Sequence, residues 1–112
     1  MSNEKSATDA SRWVVACRSD QIAPEDVLRF DFEGQTFVVI RSPEGEFFAM
    51  DGHCSHEKIH LADGIVDGGI IECPRHAGTF DYRSGESRKL PACVDLRTFP
   101  VRVENGEVLI LL

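Results

Sequence analysis

The chain of 112 residues fits one compact domain and leaves no room for a second. With 42% hydrophobic and 28% charged residues its composition is ordinary for a globular protein, and a domain of this size buries roughly two-thirds of its unfolded surface. The formal net charge of −7 argues against nucleic-acid and anionic-lipid binding, and fits either docking to a basic protein face or plain solubility.

Residues 1–11 are polar, lack the apolar core of a secretory signal and are expected to form a disordered leader ahead of a domain at 12–112. WVVAC (13–17) reads as a first strand. A polar connection, RSDQIAPEDV, leads to VLRFDF (27–32). There Leu28, Phe30 and Phe32 alternate with Arg29 and Asp31, the period of a half-buried strand. EGQ is a short turn, so TFVVIR (36–41) is expected to close a hairpin with it. SPEGE is another turn, and EFFAMD (46–51) follows. Residues 52–82 are glycine-containing and interrupted only by the brief strand-like pieces IIE and TFDY. At the end, TFPVRVE and EVLILL flank Asn105-Gly106, a pair that supplies the positive φ angles of a type I′ hairpin. No segment has sustained helical periodicity. The expected fold is all-β, a small antiparallel β sandwich or barrel. The longest apolar runs, such as VLILL, are far too short to span a bilayer, so no membrane contact and a cytoplasmic location are expected.

Four cysteines in such a chain favour metal or redox chemistry over a disulfide framework. The densest group is GHCSHEKIH (52–60), and a second cluster, ECPRHAGTF, lies downstream. Together they read Cys54-x-His56, sixteen intervening residues, then Cys73-x-x-His76. Two chemistries use two thiolates and two imidazoles. Zinc takes them tetrahedrally as a structural staple. A Rieske cluster takes two cysteines on one iron and two histidines on the other. Zinc modules usually pair like ligands in each half. Here each half is mixed, which suits two loops gripping a two-iron rhomb from opposite sides.

Cys54-Ser55-His56 and Cys73-Pro74-Arg75-His76 at this separation resemble the two cluster-binding loops of Rieske proteins. The likeness extends through LADGIVDGGIIECPRHAGTFDYRSGE and LPACVDLRTFPVRVENGEVLILL, and covers roughly residues 12 to 112. It is strongest to the soluble Rieske ferredoxins of bacterial multicomponent, ring-hydroxylating-type oxygenases, in the flavour of rhizopine-catabolism and biphenyl dioxygenase ferredoxins. The resemblance implies a β-rich fold with a cluster-binding subdomain of two loops. It also implies one [2Fe-2S] cluster bound by Cys54, His56, Cys73 and His76. The implied function is electron transport: single electrons pass from a flavin-dependent NAD(P)H reductase to a terminal oxygenase, the chain itself not being a catalyst. A monomer with transient partners is expected. No mononuclear-iron domain of an oxygenase is expected, the segment after His76 being short for one. A small Rieske-like subunit of a stable complex of the nitrite-reductase type is the alternative, and a structural zinc module a more distant one.

Departures from the respiratory members of the family are informative. Those carry an extra cysteine in each loop, joined as a disulfide; the corresponding positions here are Ile59 and Arg75. Their serine and tyrosine beyond the second histidine donate hydroxyls to the cluster sulfurs; here the positions are Gly78 and Phe80. Without those hydrogen bonds the potential is expected near the low end of the Rieske range, about −150 mV. His53 and His60 are expected to be bystanders, His60 as a packing or hydrogen-bonding loop residue. Cys17 and Cys93 read as small buried hydrophobes. Pro74 and Pro91 stiffen their loops, and Gly68, Gly69 and Gly78 permit tight turns or close backbone approach.

Overall fold

The computed structural model describes residues 12–54, 58–75, 78–89 and 94–112. The expected leader, Cys93, Pro91, His56 and His76 all lie outside the described residues. Among the described residues the regular structure is antiparallel β, with two single turns of 3-10 helix at Ser19–Gln21 and Leu61–Asp63. The strands are β1 (Trp13–Arg18), β2 (Asp26–Phe32), β3 (Gln35–Arg41), β4 (Phe47–Asp51), β5 (Ile65–Asp67) and β6 (Ile70–Glu72). They continue with β7 (Thr79–Asp81), β8 (Ser87–Lys89), β9 (Thr98–Phe99), β10 (Val101–Glu104) and β11 (Glu107–Leu111).

Three sheets result, ordered β1-β11-β10, β2-β3-β4-β9 and β5-β6-β7-β8. The second sheet is the spine. β2 and β3 pair along their full length, from Asp26↔Arg41 to Phe32↔Gln35. Their turn is Glu33-Gly34, both at positive φ (50° and 79°), the conformation that matches the twist of a two-residue hairpin. Asn105-Gly106 does the same for β10 and β11, at 53° and 78°.

β3 explains why TFVVIR is a continuous apolar run rather than an alternating one. Phe37, Val38, Val39 and Ile40 are all buried, because both faces of this strand are covered. Val39 and Ala49 pack with Cys17, Ile22, Val108 and Ile110 on one side. Val38, Ile40 and Met50 pack on the other with Leu61, Val66, Ile71, Phe80, Tyr82, Cys54 and Cys73. Cys17 is a small buried hydrophobe as expected, and burial raises its thiol pKa.

Two readings of the sequence are corrected. TFPVRVE is not one strand. Pro100 has no N–H to donate, and the run divides there: β9 adds to β4, whereas β10 adds to β11. One apolar stretch thus serves two sheets. The region 52–82 also holds more structure than IIE and TFDY suggested, since β5 joins them, and β8 completes their sheet at Ser87–Lys89. Strands of three residues are too short to display a period, and Ser-Arg-Lys carries no apolar signal.

The small sheet is tied back to the spine at its β5–β6 turn. The Gly68 N–H donates to Glu25 Oε2 at 2.9 Å, and the Tyr82 hydroxyl donates to the Gly68 carbonyl. Glu25 itself sits at φ 61°, unusual for a residue with a side chain. Phe48 packs on Tyr82 with ring centres 5.2 Å apart, and the Arg83 guanidinium lies 4.7 Å over Phe48.

Candidate metal centre

Each of the two motif loops leaves the end of a strand. The first follows β4. Asp51 is fixed there by a two-pronged ion pair with Arg97 (2.9 and 3.2 Å) and by accepting the Arg97 N–H at 2.8 Å. The second runs between β6 and β7. Both loops close in the same way: the Cys54 N–H donates to the Ile59 carbonyl at 2.9 Å, and the Cys73 N–H donates to the Gly78 carbonyl at 2.8 Å. Each cysteine therefore opens a six-residue loop clasped by its own amide. Both side chains turn into the same core, Cys54 3% and Cys73 1% exposed. Phe80 and Tyr82 are fully buried beside them.

A soft-metal group fits this donor set. Two thiols from separate strand ends sit in one buried apolar cluster, a pair of soft donors of the kind that thiophilic metals and iron–sulfur clusters take. His56 and His76, expected from the sequence to supply two imidazoles, lie outside the described residues. Ile59 is half-buried and packs against the core, and Arg75 is exposed. Neither can form the cross-loop disulfide of respiratory relatives, as their identities already dictated.

The two other histidines are placed. His53 and His60 face each other across an isolated antiparallel bridge, with rings edge-to-face at 5.4 Å. His60 is the packing and hydrogen-bonding residue expected of it. Only 8% exposed, it accepts the Ala62 N–H at Nδ1 (3.1 Å), capping the Leu61–Asp63 turn, and its Nε2 meets the Thr36 hydroxyl at 2.7 Å. Burial, then Arg29 and His53, push its pKa below the usual histidine value, against Asp31 and Asp63. The Thr36 hydroxyl lies 2.5 Å from Asp31 Oδ1, and this bond, followed by Arg29, holds the Asp31 carboxyl below its usual range.

The sequence did not point to Thr36, Asp31, Glu25 or Tyr82. Thr36 and Asp31 read there as ordinary strand residues. The one local signal was a polar His60 just before a Leu-Ala-Asp-Gly turn, the position of a cap.

The chain belongs to the Rieske [2Fe-2S] domain family, which it matches over residues 12–100. Within that family it is similar to the biphenyl 2,3-dioxygenase ferredoxin component of Rhodococcus jostii (strain RHA1), 40% identical over 94 residues, covering 84% of this chain and 87% of the relative. Among solved structures, Sphingomonas yanoikuyae B1 ferredoxin superposes with a TM-score of 0.84 at 31% identity, over 90% of this chain and 99% of that one. The complex of reduced oxygenase and oxidized ferredoxin in carbazole 1,9a-dioxygenase gives 0.83 at 32% identity, over 88% and 92%. The expected Rieske-type [2Fe-2S] cofactor and all-β Rieske fold both hold, and so does the expected character, that of an electron-transfer ferredoxin of a dioxygenase system rather than a catalyst. No helix among the described residues is long and apolar enough to cross a membrane.

Proposed function

We propose that this protein is a low-potential carrier that takes single electrons from a flavin-dependent NAD(P)H reductase and delivers them to the Rieske centre of a terminal oxygenase. It does so in the cytoplasm, as a monomer whose working domain spans 12–112. Cys54 and Cys73 hold one iron, and His56 and His76 the other. The observation that carries this reading is the pair of buried cysteines, each opening a loop clasped by its own amide and both facing one core. The bound cluster supplies reversible one-electron chemistry. The chain's own residues exclude water from the thiolate side with Phe80, Tyr82, Ile71 and Leu61. Two neutral imidazoles in place of thiolates make the cluster less negative, so adding an electron costs less than in a four-cysteine ferredoxin.

The low potential follows from what stands beside the second loop. Gly78 and Phe80 have no hydroxyl to donate to a cluster sulfur, and Phe80 is buried with the two cysteines. Within the two loops the charged residues are Glu57, Lys58 and Arg75, so the excess of acid behind the net −7 lies elsewhere on the surface. Such a distribution orients the molecule in the field of a partner while leaving the transfer face nearly neutral.

The test is electron paramagnetic resonance of the dithionite-reduced protein with iron and acid-labile sulfide counts, followed by reconstitution with candidate reductases and oxygenases. A Rieske signal that disappears in Cys54→Ser and Cys73→Ser, with reduction by the reductase and reoxidation by the oxygenase, is the expected result. A colourless protein holding zinc without sulfide would overturn it. Stoichiometric co-purification with one large subunit would assign the chain to a stable redox complex instead.

A further inference from the structure

His60 is buried against the first loop, and every polar atom of its ring is used. A backbone amide can only donate, so Nδ1, which receives the Ala62 N–H, carries the lone pair and Nε2 carries the proton. The Thr36 hydroxyl therefore accepts from Nε2 and gives its own proton to Asp31 Oδ1. Asp31 is held in turn by Arg29 Nε at 3.1 and 3.2 Å. The result is a chain with a single direction, from Ala62 through His60 and Thr36 to Asp31. It joins β2, β3 and the 3-10 turn.

The same residues grip the backbone of the first loop. The Gly52 N–H donates to the Thr36 carbonyl at 3.0 Å, and the Gly52 carbonyl accepts the Leu61 N–H at 2.8 Å. His53 bridges to His60, and the Cys54 N–H closes on Ile59. Gly52 lies directly on the imidazole. A methyl group there would fall 2.8 Å from His60 Nε2 and 3.0 Å from the Phe37 nitrogen. The segment 52–54 is thus held by the ring, by β3 and by residues 59–61, and it ends at Cys54.

We propose that His60 is a positioning residue for the iron–sulfur centre, its ring acting as a wedge between β3 and the first loop that fixes where Cys54 presents its sulfur. The inference rests on the reading that Cys54 is a ligand. It concerns the thiolate that the loop carries, so its consequences are read on the centre as well as on the fold. A loosened loop admits water, which stabilises the more negative reduced state and raises the potential.

Two substitutions separate the wedge from the cap. His60→Asn keeps a side-chain oxygen able to cap the Leu61–Asp63 turn but cannot reach Thr36. Thr36→Val keeps the shape and removes the partner of Nε2, whereas Thr36→Ser restores it. Purified with one cluster per chain, His60→Asn and Thr36→Val are expected to show shifted g-values, a raised midpoint potential and iron loss to a chelator accelerated about 10- to 100-fold, as for partners that orient metal ligands. Thr36→Ser is expected to return all three to wild type. In the apoprotein, amide exchange at Cys54 and Leu61 should speed up in the same two variants. Wild-type g-values, potential and iron retention in Thr36→Val overturn the proposal, even where His60→Asn fails to fold. Cys54→Ser distinguishes the two levels: if it keeps the Rieske signal, the ligand reading falls and takes this one with it. If it loses the signal while Thr36→Val is unchanged, only the role of His60 is overturned.

Discussion

The two faces of the β2-β3-β4-β9 sheet are built by the same strands and do different work. The face under β1-β11-β10 rests on four- and five-residue pairings, one of them closed by the Asn105-Gly106 turn, and its buried core is made of aliphatic side chains and Cys17. The opposite face supports β5 to β8, which are three residues long each and are held by caps, carbonyl contacts and the Glu25–Gly68–Tyr82 tie. Short strands bury little surface by themselves. The second face therefore depends on its neighbours for much of its order. The lesson is a division of labour: one face supplies a frame of longer pairings, and the other gathers Cys54 and Cys73 among short strands packed against it.

Glycine substitutions should break the comparison most sharply. Gly85, in the β7–β8 connection, has φ 79°, and an added methyl would lie 1.9 Å from the Leu96 carbonyl oxygen. Gly34, in the β2–β3 turn, has the same φ with nothing within 4 Å. Gly34→Ala is expected to cost only the left-handed backbone, about 1–2 kcal/mol. Gly85→Ala adds a clash with main chain and should abolish cluster incorporation. Urea midpoints and iron content measure both, and equal effects would remove the asymmetry.

Core truncation gives a finer cut. Ile110→Ala and Ile71→Ala should each cost about 2–5 kcal/mol in the apoprotein, since both side chains are fully buried. Only Ile71→Ala, on the face of Cys54 and Cys73, should also hasten iron loss. Identical iron retention in the two would mean that the cores are not separate in function.

Phe80→Tyr and Gly78→Ser test the electronic side of the second face. Either should raise the midpoint potential with little change in stability if its hydroxyl reaches a cluster sulfur. Voltammetry that finds neither shifted would detach the low potential from these two positions.

The smallest effect expected is on pH dependence. The folded-state pKa of His60 is lowered, and the unfolded value is about 6.5, so below that pH the unfolded chain binds more protons. The stability His60 contributes is full above about pH 6.5 and is lost as pH falls through the folded value. Arg29 and His53 strengthen this trend and Asp31 and Asp63 oppose it. The difference in apoprotein stability between wild type and His60→Asn should therefore shrink between about pH 7.5 and about pH 5.5. A difference that grows on acidification would reverse the sign.

Much of this was legible in the chain. The alternation of VLRFDF, the unbroken TFVVIR and the Asn105-Gly106 pair each reflect a local rule, of pleat, two-sided burial or turn geometry, and those elements form where expected. Of the motif, Cys54 and Cys73 do meet in one core, while His56 and His76 lie outside the described residues. The misses share a different cause. Pro100 divides a run because the two halves meet different sheets, and β5 and β8 exist because β6 and β7 lie beside them.

The sequence by itself determined the strand-rich character, the two hairpin turns and the Cys-x-His and Cys-x-x-His pattern, all set within a few bonds of chain by sterics and ligand chemistry. The tertiary structure alone decided that Cys54 and Cys73 share one core, that the β5–β6 turn hangs from Glu25 and Tyr82, and that His60 reaches Thr36 and Asp31. Those contacts join residues 14 to 43 positions apart. Burial and hydrogen-bond partners at such separations follow from which strands pair, and local sequence does not encode that.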